Sequence, residues 1–87
     1  MTRAIVRLRI AHFGKWKRNY DEHRASRRKA GLRELWVLRN ISNPKEVVVM
    51  FQVADLRKAR QAFASPALGE AMHKAGVIGK PEVVYLR

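Results

Sequence analysis

The chain contains no cysteine, which excludes disulfide staples and thiolate metal sites and is compatible with a reducing compartment. It has no long apolar run either. The stretch Met1-Thr2-Arg3-Ala4-Ile5-Val6-Arg7-Leu8-Arg9 interrupts its apolar residues with arginines, so neither a signal peptide nor a membrane span is expected, and a cytoplasmic location is. Acidic residues are scarce: 7 Asp plus Glu stand against 19 Lys plus Arg, a formal net charge of +12. A field of that size attracts nucleic acid, anionic lipid or acidic small molecules, although charge speaks of association rather than of fold. A Gly-rich phosphate loop, a Gly-x-Ser-x-Gly elbow and a recognisable pair of nucleophile and base are all missing. No second His, Asp or Glu stands at ligand spacing beside His12, so no metal site is expected.

What is present is ordinary globular material, with 47% hydrophobic residues in 87, enough for one domain over residues 1–87 and too little for two. A domain of this size buries only about 60–65% of the surface that its unfolded chain exposes. With no staple available, a partner subunit is the expected remedy.

Ala4 to His12 alternate with period two, the pattern of a strand. From Gly14 the period changes, and Trp16, Tyr20, His23, Arg27 and Ala30 recur at helical spacing until Gly31, which follows the cationic run Arg27-Arg28-Lys29 and suits a helix-ending left-handed residue. Leu32 to Arg39 and Glu46 to Val53 read as two strands joined through the Asn43-Pro44 turn. Asp55 is an N-cap ahead of Leu56, Ala59 and Phe63, and Ser65-Pro66 starts a second short helix that runs to Gly76, so the second helical segment is expected to be broken in the middle. Glu82 to Arg87 closes the chain as a strand. The order is β-α-β-β-α-β, a ferredoxin-like α+β fold with a four-stranded antiparallel sheet and its helices on one face.

The third strand is the informative one. Val47, Val48, Val49, Met50 and Phe51 form an unbroken apolar run, as in a strand covered on both faces, whereas helices on one side cover only one. The far face is expected to gather Ile5, Val48, Met50 and Leu86 with Arg7, Arg9 and Gln52, with no aromatic residue among them. A patch of that kind calls for an occupant, and a second copy of the chain is the expected one.

Phe13, Trp16, Tyr20 and Asp21, the Asn43-Pro44 turn, Ser65-Pro66-Ala67-Leu68 and the tail Ala75-Gly76-Val77-Ile78-Gly79-x-Pro81 together resemble, almost end to end, the small bacterial proteins of the dimeric α+β barrel superfamily. The likeness is to short antibiotic-biosynthesis-monooxygenase-like and cyclase-like members. It implies a homodimer whose two sheets face each other as a barrel, with a pocket between each sheet and its helices, and no cofactor. The strong positive charge and His12, where an acidic residue is expected, depart from the pattern. Asn19, Trp36 and His73 do not fall where the haem-degrading members carry their Asn, Trp and His, so that set is not carried over.

His23 and Arg27 fall within the Trp16 and Tyr20 stripe that should face the sheet. One reading is a pocket in which His23 acts as acid or base, Arg27 holds an anionic oxygen, and Trp16, Tyr20 and Trp36 form aromatic walls. The other is that both residues lie near the sheet's edge, with Arg27 reaching to water and favoured by the helix C-terminus. His12, where strand gives way to helix, is a second acid–base candidate. His73 is expected in solvent and Tyr85 in the core.

Three functions compete: a cofactor-free oxygenase, isomerase or cyclase-like protein taking a small aromatic or acidic ligand; a module that binds nucleic acid without sequence preference through Lys15, Lys17, Arg18, Arg24, Arg28 and Lys29; and a structural dimer with a filled barrel.

Overall fold

The computed structural model describes residues 1–87. Eight elements follow in the order β1 (Thr2–Ile10), α1 (Phe13–Glu22), α2 (Arg24–Lys29), β2 (Leu32–Arg39), β3 (Glu46–Val53), α3 (Leu56–Ala64), α4 (Pro66–Lys74) and β4 (Val77–Leu86). The strands form one antiparallel sheet in the order β2-β3-β1-β4, the ferredoxin-like arrangement that the alternation of periods predicts. No helix is long and apolar enough to cross a membrane.

β1 and β3 lie at the centre of the sheet, and their helix-facing residues Ala4, Val6, Leu8, Ile10, Val47, Val49, Phe51 and Val53 are all buried. Trp16 from α1, Ala59 from α3, Leu32, Ala75 and Val77 complete the core. Each large apolar side chain buried there contributes about 1.5–3 kcal/mol.

Local chemistry sets the boundaries. Gly31 (φ 78°) and Gly76 (φ 90°) take the left-handed conformation at the ends of α2 and α4, the role read from their positions. The Asp55 side chain accepts from the Lys58 N–H at 3.2 Å and caps α3. The expected break falls at Ser65, where α3 ends and Pro66 opens α4, but the Ser65 side chain makes no cap hydrogen bond. In the β2–β3 turn, Asn40 accepts from the Ser42 N–H and Asn43 from the Lys45 N–H. The Asn40 amide, and then the Arg7 guanidinium at 3.1 Å, hold the Glu46 carboxyl below its ordinary range.

Four features differ from the sequence expectation. The first helical segment is divided at His23 (φ −96°, ψ 16°), although no Pro or Gly marks the place. β1 runs from Thr2 to Ile10, because His12 turns back to cap α1. β4 begins at Val77 rather than Glu82 and continues through Pro81; as an edge strand it tolerates a proline. Finally, β2 carries a bulge between Glu34 and Trp36. One extra residue reverses the alternation beyond it, so Glu34 pairs with Phe51 on the helix side while Trp36 pairs with Met50 on the other.

The open face therefore does hold an aromatic residue. Cross-strand pairing sets Trp36, Met50, Ile5 and Val84 in one row, with Leu38 and Val48 beside it. Leu38 is 57% exposed and Val84 40%. Arg3, Arg7, Arg9 and Arg33 share this face with Glu46, Glu82 and Gln52.

Candidate functional site

α2 packs on β2 and α4 on β4, the two edge strands. Between the two helix pairs a groove of about 420 Å³ stays open over the central strands. Val6 and Leu8 of β1 with Val49 and Phe51 of β3 form its floor; Trp16 and Tyr20 line it from α1, Phe63 from α3, and Leu68 and Met72 from α4. Its polar groups come from the two helix breaks: Asn19, His23, Ser26 and Arg27 at one, Ser65 at the other.

The α1/α2 break explains how His23 and Arg27 are held. Breaking a helix frees carbonyls near its end, and here side chains take them up. His23 Nδ1 lies 2.8 Å from the Asn19 carbonyl oxygen. A carbonyl only accepts, so Nδ1 carries the hydrogen, and in the neutral ring Nε2 keeps its lone pair. Arg27 Nη1 donates to the Tyr20 carbonyl, and the guanidinium lies over the Tyr20 ring, 3.6 Å from Cζ to the ring centroid. Half-buried, it has its pKa lowered by loss of water, with Tyr20 and Glu34 opposing the shift.

Tyr20 stacks in turn on Trp16 (4.9 Å, 27° between planes), and Trp16 meets Phe13 at 5.9 Å. Arg39 covers the Phe13 ring at 4.2 Å. A column of three aromatic rings closed at each end by a guanidinium thus runs beneath α1. Residues 13, 16 and 20 recur at helical spacing, which is why one helix supplies all three rings. The Tyr20 hydroxyl is buried without a hydrogen-bond partner. Burial first, and the nearby Glu34 carboxylate second, push its pKa up, although the two groups do not complete a hydrogen bond of ordinary geometry; Arg27 pulls the other way.

Of the six residues singled out from the sequence, the groove gathers four: Trp16, Tyr20, His23 and Arg27. Trp36 is absent from it, because the β2 bulge turns its side chain to the open face. His12 is absent as well. Its extended backbone (φ −149°, ψ 116°) puts the ring over the start of α1, where Nδ1 accepts from the Lys15 N–H at 3.3 Å, and the residue is exposed. Asn19 and Ser65 line the groove, and sequence reasoning gave them no role there. Asn19 was findable as the residue one turn before His23, and Ser65 as the second helix break. His73 is exposed, and Tyr85 packs against the core beside Phe63. No three His, Cys, Asp or Glu side chains come together in a group able to hold a metal.

No family model matches the chain, and no curated protein matches it by sequence. Solved structures do match. SnoaB, a cofactor-independent oxygenase from Streptomyces nogalater, superposes with a TM-score of 0.71 over 99% of this chain and 90% of its own, at 15% identity. An antibiotic biosynthesis monooxygenase matches at 0.66 over 100% and 97%, with 16% identity. The chain has the fold of the antibiotic biosynthesis monooxygenase-like proteins. An uncharacterised NIPSNAP domain protein from Burkholderia xenovorans shares this monooxygenase-like fold, with a TM-score of 0.69 over 100% and 93% and 15% identity. At such identities the likeness is one of fold, and the chemistry of a monooxygenase-like fold rests on the residues in its own groove.

Proposed function

We propose that the chain binds a small, planar, largely apolar organic molecule bearing an acidic oxygen, and that it acts on this ligand by proton transfer without a cofactor, as an isomerase, a cyclase-like protein or an oxygenase. The observation that carries the reading is a groove lined mostly by apolar side chains whose one basic and one acid–base group, Arg27 and His23, both come from the α1/α2 break and stand one helical turn apart. The volume, about 420 Å³, lies within the range of ligand pockets.

The structural duties of the two residues leave them free to act. His23 is oriented through Nδ1, so Nε2 can take a proton from an activated C–H or O–H of the ligand. Arg27 spends one of its N–H groups on the Tyr20 carbonyl and has others for the oxyanion that develops. Returning the proton to a different carbon completes an isomerisation with no further reactant. Oxygenation needs dioxygen as the oxidant that accepts the ligand's electron pair, and the fold shared with SnoaB, named a cofactor-independent oxygenase, supports including it.

A second copy covering the Trp36, Met50, Ile5 and Val84 row belongs to the same reading: both faces of β3 then become buried, as its apolar run requires.

Titration with aromatic carboxylic acids and quinones tests the pocket. Trp16 fluorescence and thermal stability should both shift on binding. Arg27→Gln should weaken a carboxylate by about 10–100-fold while leaving the matching neutral amide nearly unaffected. A full panel that moves neither fluorescence nor melting temperature sinks the reading.

A further inference from the structure

The chain's charge is left unexplained by a groove that uses one arginine. Only two cations in the whole molecule sit in ion pairs, Arg7 with Glu46 and Lys17 with Asp21. Aromatic rings take up four, Lys17 again together with Arg27, Arg39 and Arg60. On the solvent side of α1 and α2, Lys15, Arg18, Arg24, Arg28 and Lys29 are all exposed, with neither an ion pair nor a ring beneath them. The only acids on this surface are Asp21, tied to Lys17, and Glu22.

We propose that the outer surface of α1 and α2 binds the phosphate backbone of nucleic acid, without reading its sequence. Exposed cations carried on two successive helices meet a polyanion with no ion pair to break first, and counterions released from the nucleic acid drive the association. No aromatic side chain is available there for base stacking, because Phe13, Trp16 and Tyr20 are turned toward the core, so the contact stops at phosphate and sugar. An anionic membrane is the poorer partner for the same reason: a helix that lies in a bilayer surface needs large apolar side chains beside its cations, and this outer face offers only the small Ala25. The surface is also remote from the open sheet face, so it is exposed whether the chain is monomeric or paired.

The test measures binding of unrelated DNA duplexes by fluorescence anisotropy across a salt series. Five phosphate contacts predict a slope of about −4.5 in log K against log salt, a loss of about 500-fold between about 50 and about 200 mM. Arg24→Gln, Arg28→Gln and Lys29→Gln together keep helix propensity and should reduce the slope to about −1.8. Lys45→Gln, Lys80→Gln and Arg87→Gln remove the same charge elsewhere and should leave the slope near its original value. Equal losses in the two triple variants overturn the assignment to α1 and α2, since attraction would then follow net charge alone. Binding to anionic phospholipid vesicles but not to duplexes overturns the choice of partner. A duplex signal that discriminates strongly between sequences overturns phosphate-only recognition.

Discussion

Tyr20 carries a tension at the scale of a single residue. Its ring is clamped between Trp16 and Arg27 while its hydroxyl is buried with no partner. A buried donor left unpaired costs about 1–3 kcal/mol, and nothing in the packing of the ring needs the oxygen. Tyr20→Phe should therefore stabilise the fold by about 1–2 kcal/mol in urea denaturation. A variant less stable than the parent contradicts the assignment of an unpaired hydroxyl. The pH dependence has a definite sign. The unfolded phenol ionises near about 10, and the folded one only above that. Above pH ~10 the unfolded chain sheds a proton that the folded chain keeps, so stability falls as pH rises. Tyr20→Phe should make that alkaline fall shallower, and Tyr85, whose pKa burial also raises, should account for part of what remains.

At the scale of elements, two glycines make opposite predictions. Gly31 ends α2 with φ 78°, and a Cβ built there comes no closer than 3.5 Å to Ala54. Space is adequate, so Gly31→Ala is costly through the backbone alone, about 1–2 kcal/mol. Gly69 lies inside α4 with an ordinary backbone, and a Cβ added there would meet nothing within 4 Å. Gly69→Ala should stabilise by about 0.5–1 kcal/mol. Thermal denaturation of the pair checks both, and shifts of the same sign would show that the conformation at one of the two sites is different. The order of elements, the glycine helix ends and the Ser65-Pro66 break were legible in the residues because each has a local cause. The α1/α2 break was not, since side chains of His23 and Arg27 stabilise it from within otherwise continuous helical spacing. The β2 bulge was hidden as well: Leu32 to Arg39 alternates too loosely to show where a residue is inserted, and that insertion decides which face receives Trp36. The candidate site was accordingly half legible, the helical stripe of Trp16, Tyr20, His23 and Arg27 being set by spacing, whereas the placement of His12 and Trp36 depended on a cap and a bulge.

At the scale of the whole molecule, the sheet face and the helix face should respond to salt in opposite directions. The proposed pairing of two sheets buries the row Trp36, Met50, Ile5 and Val84, a contact driven by apolar area. The same face bears Arg3, Arg7, Arg9 and Arg33 against Glu46 and Glu82, so two copies meet with a net like charge that ions screen. Raising salt should tighten the dimer several-fold while it releases nucleic acid from α1 and α2. Sedimentation at low and high salt, run beside the anisotropy series, separates the two effects in one preparation. Met50→Lys should place a cation in the middle of the row and give monomers at concentrations where the parent is dimeric, with the nucleic-acid slope unchanged because its cations lie on the other side of the sheet. A parent chain that stays monomeric at every salt concentration removes the sheet-to-sheet dimer and leaves the helix surface standing. A dimer that dissociates as salt rises would mean that Arg–Glu pairs between the copies, rather than the apolar row, hold it together.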